Sequence, residues 1–277
     1  MTIEALHTPH VDAPPDTRRI DVRGLCKTFQ LAGAAIEAVR DVSFNVRRGE
    51  FVALLGPSGS GKSTVLNMIA TLVKPTSGEI LIDGVPVVPG RATPDVGYVF
   101  QRDTLFPWRT VADNIGYGLQ LAGVPVAERK ERINACLMQA GLQDFGHAYP
   151  SALSGGMRQR AALMRTLVVE PQVLLMDEPF GALDTHTKID MHDVLLRIWE
   201  REKQTVLFVT HDLGEALTLA DRIILFSARP GRIKESFDVD FPRPRNAVKI
   251  RETPRYAELF QLIWHSLGEE FIRGRKP

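Results

Sequence analysis

Four short, continuous apolar segments are separated by stretches with helical spacing, and this alternation constrains the fold most. The segments are FVALL (51–55), VLLM (173–176), TVLFVT (205–210) and RIILF (222–226). Strands that are apolar at every position are typical of a parallel sheet with helices on both faces. The chain is therefore predicted to be an α/β protein with a mainly parallel sheet. No apolar run approaches the ~18 residues of a membrane-spanning helix.

The rest of the sequence predicts three further parts. Residues 20–29 and 38–46 alternate apolar and polar side chains, as half-buried antiparallel strands do. Residues 110–140 have helical spacing, and so does the tail at 242–277 after Thr253 and Pro254, where it forms an amphipathic pattern. Residues 1–19 have no continuous apolar core, so we interpret them as a disordered leader rather than a secretory signal.

A glycine-rich loop follows the first apolar segment. It fits the pattern G-x-x-x-x-G-K-[ST], in which backbone N–H groups curl round a phosphate and the next helix adds its positive dipole end. Lys62 would reach the β- and γ-phosphates of a nucleotide, and the Ser63 hydroxyl would bind Mg²⁺. An ordinary glycine-rich turn fits less well, because a buried strand and an amphipathic helix flank the loop. The predicted nucleotide-contacting residues are Gly56, Pro57, Ser58, Gly59, Ser60, Gly61, Lys62, Ser63 and Thr64.

Two carboxylates end the second apolar segment. The strand would deliver Asp177 to its carboxyl end beside the phosphate loop, where Asp177 can hold the Mg²⁺ shell and Glu178 can face an attacking water. A solvated pair at a strand end is the alternative, and it would be favoured if the phosphate loop were missing. The sequence contains no Asn-Lys-x-Asp pattern for guanine recognition, which argues against a GTPase.

The segment LSGGMRQR at 153–160 separates one class of nucleotide-binding protein from the others. Locally, Ser154 is a suitable N-cap, and Gly155 and Gly156 leave N–H groups open to an anion. Together with the phosphate loop and the strand that ends in Asp177, the segment resembles the signature of the ATP-binding-cassette (ABC) ATPases. Met157 stands where that family most often has Gln. The resemblance covers residues 20–241, which are expected to form the ABC ATPase domain.

This resemblance implies roles for further residues. Gln101 matches the Q-loop glutamine, which links Mg²⁺ to the transporter contact, and His211 matches the switch histidine that contacts the γ-phosphate. Asp184 matches the D-loop, although Gly181 stands where the family commonly has Ser. Phe29 lies where a Tyr usually stacks on adenine. The implied metal ligands are Ser63, Gln101 and Asp177, and the implied catalytic residues are Lys62, Glu178 and His211.

An architecture and an assembly are implied as well. The fold would be a P-loop NTPase core with an antiparallel N-terminal β subdomain, a helical subdomain at about 102–165 and a helical tail. Two copies would pair head to tail, so that each ATP lies between the phosphate loop of one copy and Ser154 to Gly156 of the other. One cassette without a membrane span predicts a separate ATPase subunit that works with integral membrane permease subunits.

Two segments narrow the resemblance within the family. LFPWRTV (105–111) and SARPGRI (227–233) look like segments of the nitrate/sulfonate/taurine importer ATPases. They favour an importer fed by a solute-binding protein, at the cytoplasmic face of the inner membrane, over lipoprotein release or cell division. A non-catalytic regulatory cassette is disfavoured because the catalytic residues are present. Trp108 would be a docking anchor for the permease or, alternatively, a core aromatic. The solute stays open among nitrate, sulfonates, taurine, bicarbonate and thiamine-precursor pyrimidines.

The charge balance argues against nucleic acid as a partner. Lys and Arg total 34 and Asp and Glu total 33, which leaves a formal net charge of +1, whereas dedicated nucleic-acid binders usually carry a basic excess. The two cysteines, Cys26 and Cys136, share no short motif and are expected to be reduced thiols.

Overall fold

The computed structural model describes residues 17–31, 33–93, 95–181 and 183–273. Most of the predicted leader, residues 1–16, lies outside the described residues, while Arg18 and Arg19 already belong to the first strand. Over the described ranges, no helix is long and apolar enough to cross a membrane.

The described residues form ten strands and eight α-helices, beginning with two long N-terminal strands. The strands are β1 (Arg18–Leu31), β2 (Ala34–Arg47), β3 (Phe51–Leu55), β4 (Ser77–Ile82), β5 (Val85–Pro86), β6 (Val96–Val99), β7 (Val173–Asp177), β8 (Thr205–Thr210), β9 (Arg222–Phe226) and β10 (Ile233–Asp238). The helices are α1 (Lys62–Ile69), α2 (Val111–Ile115), α3 (Tyr117–Leu121), α4 (Val126–Gln139), α5 (Gly155–Leu167), α6 (Thr185–Glu202), α7 (Leu213–Leu219) and α8 (Pro254–Arg273).

Two sheets organise these strands. The larger has the order β10-β9-β3-β8-β7-β6, with every pair parallel except β10 and β9. The smaller, of order β2-β1-β4-β5, is antiparallel throughout. Both agree with the fold class expected from the sequence, an α/β core with an antiparallel N-terminal subdomain.

Strand β3 lies at the centre of the larger sheet and is buried at all five positions. Phe51, Ala53 and Leu55 join the apolar cluster that includes α2 and α4 to α8, whereas Val52 and Leu54 join the cluster formed with α1 and the smaller sheet. Because successive side chains of a strand point to opposite faces, one strand feeds both clusters. The carboxyl end of β3 is thereby fixed where the glycine-rich loop begins.

The helical spacing predicted over 110–140 corresponds to three separate helices, α2, α3 and α4. The break between α3 and α4 contains Gly123, which adopts the left-handed conformation (φ 71°) that ends a helix, and Pro125, which directly precedes α4. The helical tail agrees with its prediction, and α8 buries Leu259, Ile263 and Leu267.

Candidate nucleotide-binding and hydrolysis site

The glycine-rich loop between β3 and α1 has a shape that requires its glycines. Gly59 and Gly61 have φ of 76° and 88°. A Cβ on Gly61 would lie 2.6 Å from the Ala38 carbonyl oxygen, and one on Gly56 would lie 2.8 Å from that of Phe226. The loop is therefore pressed between β2 and β9, with Ser58 and Gly59 exposed at its tip. Backbone N–H groups in such a loop, placed before a helix N-terminus, suit an anion.

Lys62 is buried inside this loop, with 4% of its surface exposed. Its Nζ donates hydrogen bonds to the carbonyl oxygens of Gly56 and Pro57, both at 2.8 Å, and to Ser60 Oγ at 3.3 Å. Burial lowers the pKa of Lys62 to about 8, while the nearby carboxylates of Glu178 and Asp177 oppose that shift. A buried ammonium satisfied only by neutral oxygens is the arrangement that a phosphate would stabilise.

Ser63 and Asp177, the two predicted magnesium ligands at the phosphate loop, are in direct contact. Ser63 Oγ donates to Asp177 Oδ1 at 2.7 Å, which joins the first turn of α1 to the end of β7. Burial raises the pKa of Asp177, and the Ser63 hydrogen bond counteracts that rise. Mg²⁺ prefers oxygen ligands and commonly uses one or two carboxylates together with nucleotide phosphates. The Ser63 hydroxyl and the Asp177 carboxylate therefore fit a magnesium ion that a nucleotide shares.

Tyr98 is a neighbour of this pair that the sequence analysis missed. Its hydroxyl donates to Asn67 Oδ1 at 2.9 Å and lies 3.5 Å from Asp177 Oδ2. Burial raises the pKa of Tyr98, and the Asp177 charge adds to the rise. The hydroxyl thus holds α1 and the end of β7 together. The sequence signal that could have indicated this role is a phenol hydroxyl within an apolar strand, β6, which runs beside β7.

Two other predicted site residues, His211 and Gln101, contact the same carboxylate oxygen of Glu178. His211 Nδ1 lies 3.0 Å from Glu178 Oε2, and Gln101 Nε2 donates to the same oxygen at 3.4 Å. These three residues follow the adjacent parallel strands β7, β8 and β6, whose carboxyl ends share one edge of the sheet. Glu178 itself has φ of 43°, a strained backbone conformation for a residue with a side chain, and its N–H donates to the Val209 carbonyl at 2.9 Å. Gln101 therefore contacts Glu178 here rather than the Ser63–Asp177 pair.

The residues of the signature and the D-loop form a second group. Ser154 Oγ accepts from the Met157 N–H at 3.3 Å and caps α5. Asp184 caps α6, and its hydrogen bonds with Thr187 lower its pKa. A Cβ on Gly156 would lie 2.6 Å from Thr187 Cγ2, so the beginnings of α5 and α6 are in contact. Across the described residues, no hydrogen bond links this group to the phosphate loop of the same chain.

The two aromatic residues singled out in the sequence have different surroundings. Phe29 is half-buried against the cluster that contains α1, and Lys27 Nζ lies 4.8 Å from its ring centroid. Trp108 is 72% exposed, and its ring lies 5.5 Å from that of Phe106. The core alternative for Trp108 is therefore wrong.

Comparison with known proteins identifies the group to which this site belongs. The family model described as ABC transporter matches residues 39–181. The nitrate import ATP-binding protein of Synechocystis sp. is 43% identical over 93% of this chain and 96% of its own length. The taurine import ATP-binding protein of Rhizobium johnstonii is 44% identical over 83% of this chain and 89% of its own. These two relatives confirm the resemblance to the importer ATPases.

A solved structure gives the same answer for the fold and the chemistry. A dimeric ATP-binding cassette in a post-hydrolysis state, bound to ADP and Pi, superimposes with a TM-score of 0.72 at 33% identity. The match covers 80% of this chain and the whole of the other. The chain belongs to the ABC transporter family, as a subunit that binds and hydrolyses ATP.

Proposed function

We propose that this chain drives the uptake of a small solute through separate membrane permease subunits. The names of the nitrate and taurine import relatives support uptake as the direction of transport. The segments at 105–111 and 227–233 support it independently. The solute would reach the permease from a solute-binding protein, and the chain would lie at the cytoplasmic face of the inner membrane.

The observation that carries the hydrolysis step of the proposal is the placement of Glu178 between His211 and Gln101, beside the Ser63–Asp177 pair. Glu178 accepts a proton from the attacking water, and His211 orients the γ-phosphate. Lys62 binds the β- and γ-phosphates within the loop. Ser63 and Asp177 would hold Mg²⁺, and Gln101 would join them on releasing Glu178; the ion would supply positive charge to the phosphate oxygens. Stacking of adenine on Phe29 completes the proposed nucleotide site.

A second copy of the chain would complete each site. In the isolated chain the hydroxyl of Ser154 accepts a hydrogen bond from its own helix, at the Met157 N–H. A head-to-tail dimer would bring Ser154, Gly155 and Gly156 of one copy to the γ-phosphate held by the other, with Asp184 at the junction. The dimeric cassette structures that resemble this chain support such an assembly.

Reconstitution with the permease and the binding protein tests the proposal. In proteoliposomes that expose this subunit to ATP, solute should move from the side that holds the binding protein to the side that carries the ATPase, and loaded binding protein should stimulate ATP hydrolysis. Nitrate and taurine are the first solutes to try. The Glu178→Gln variant should assemble normally and transport nothing. Solute movement away from the ATPase side, or ATP hydrolysis that does not respond to the binding protein, would rule out import.

A further inference from the structure

The turn between β9 and β10 lies directly against the phosphate loop. A Cβ on Gly231 would be 1.9 Å from the Ser60 carbonyl oxygen, so only glycine permits this approach. The Gly231 N–H donates to the Ala38 carbonyl at 2.9 Å, and the Arg40 N–H donates to the Gly231 carbonyl at 3.0 Å. The turn is therefore bonded to the same stretch of β2 that packs under Gly61.

Side chains on both sides fix the conformation of this turn. Ser227 Oγ accepts from the Arg232 N–H at 3.1 Å and donates to the Ala228 carbonyl at 3.0 Å. The Ala228 N–H donates to Glu270 Oε2 at 2.9 Å. Glu270 belongs to α8, is 1% exposed, and forms an ion pair with Lys234 at 3.4 Å. A turn held at this many points presents its remaining side chains in defined positions.

The turn carries two exposed arginines with different surroundings. The Arg40 hydrogen bond lowers the pKa of Glu37, and the nearby charge of Arg232 adds to that shift. Arg229 has no hydrogen-bond or ion-pair partner within the described part of the chain. Its Nη2 lies 3.9 Å from the position of a Cβ on Gly59, at the tip of the phosphate loop. An exposed guanidinium that has no ion-pair partner among the described residues, and that lies beside a loop suited to phosphate, can bind an anion there.

We propose that Arg229 is a further nucleotide-binding residue, whose guanidinium contacts the phosphates of the ATP held in the loop. An arginine fork matches the geometry of phosphate oxygens and forms charge-assisted hydrogen bonds with them. The contact supplements Lys62, which approaches from inside the loop, whereas Arg229 approaches from the exposed tip. This inference rests on ATP binding at residues 56–64 and is independent of the direction of transport.

The test is nucleotide affinity of the full chain, measured by titration calorimetry with a non-hydrolysable ATP analogue, ADP and adenosine. Arg229→Gln should weaken binding of the ATP analogue by at least about fivefold, since a charge-assisted contact is lost. Binding of adenosine, which has no phosphate, should not change. Arg229→Lys should recover part of the loss, because it restores the charge without the fork. The loss should shrink at high salt.

Arg232→Gln is the matched control, because it removes the same charge from the same turn and leaves the backbone bonds of residue 232 intact. It should bind the analogue within twofold of the unaltered chain. Equal losses in both variants would show a general effect of charge and overturn the proposal. Unchanged affinity of Arg229→Gln for the analogue would also overturn the proposal. This holds even if the variant forms the dimer less well, because the proposal concerns contact with the nucleotide. An unaltered chain that fails to bind the analogue would instead refute ATP binding at this loop.

Discussion

Lys62 and Glu178 have different proposed roles at the nucleotide site, and single substitutions should separate them. Lys62 is proposed to bind phosphate in the ground state, so Lys62→Ala should lose both nucleotide affinity and turnover. Glu178→Gln should bind ATP normally and hydrolyse it slowly, because a general base contributes about 10²–10⁴-fold in rate. Binding by calorimetry and phosphate release at saturating Mg-ATP measure the two quantities.

Glu131→Gln is the control for this pair, since it makes the same change at an exposed position on α4. It should match the unaltered chain in both measurements. If Glu178→Gln retained more than half of the ATPase activity, Glu178 would not be the base.

His192, on α6, makes the stability of the folded chain depend on pH. Its imidazole is 1% exposed, packs edge-on against Phe180 at 4.9 Å, and has no hydrogen-bond partner for either ring nitrogen among the residues described. Burial lowers its pKa from 6.5 to about 3, and the charge of Arg251 adds to the shift. The folded state therefore binds a proton less readily than the unfolded chain, so stability falls as the pH drops from about 6.5 toward 3.

Replacement of His192 with Met should reduce the loss of stability that occurs as the pH falls. By linkage, the loss attributable to His192 is about 3 kcal/mol by about pH 4, and it disappears when the imidazole is removed. Urea unfolding at several pH values measures the difference between the two chains. His265→Met, at an exposed position of α8, should leave the profile unchanged. A His192→Met chain with the original pH profile would contradict a buried neutral imidazole.

At the scale of elements, the region between β6 and α2 presents the proposed permease contact. Trp108 is exposed and touches Phe106, so truncation removes a surface anchor and leaves the apolar clusters intact. Trp108→Ala should keep the melting temperature and the ATP affinity of the isolated chain. Co-purification with the permease should fall, because interface aromatics are worth about 2 kcal/mol or more.

Leu72→Ala provides the comparison, since Leu72 is 59% exposed and lies outside the helical region. It should co-purify with the permease as the unaltered chain does. Normal permease binding by Trp108→Ala would remove Trp108 from the interface.

Elements with a uniform local pattern were predictable from the sequence, and those set by tertiary contacts were not. The strand FVALL and the loop ending in Lys62 carry their signals within a few consecutive residues. Tyr98 was missed because an aromatic residue in a strand fits core packing equally well, and only the approach of α1 and β7 gives its hydroxyl a function. The contact of Gly231 with Ser60 joins positions far apart in sequence, and local patterns contain no information about it.

At the scale of the whole molecule, the proposed head-to-tail pairing through Ser154 predicts assembly that depends on nucleotide. Glu178→Gln protein should be monomeric alone and dimeric with ATP. Adding Ser154→Arg should abolish the dimer while the monomer still binds ATP. Size-exclusion chromatography with light scattering measures the mass directly.

Ser154→Asp separates the dimer contact from the helix cap. Asp caps a helix as well as Ser does, so α5 should stay stable, whereas its negative charge would repel the γ-phosphate of the opposite copy. The Asp variant should therefore keep its melting temperature and lose the ATP-dependent dimer. A dimer that forms without ATP, or that tolerates both substitutions, would contradict the head-to-tail arrangement.

The burial of β3 on both faces has a consequence for how this chain can diverge. Strands β1 and β2 have exposed positions at which polar residues are tolerated, whereas each side chain of β3 is enclosed by one apolar cluster or the other. A polar group at residues 51–55 would be buried without a partner, and a smaller group would leave a cavity. Among related sequences we therefore expect substitutions at exposed positions such as those of β1 and β2, whereas residues 51–55 should be exchanged only for apolar residues of similar volume.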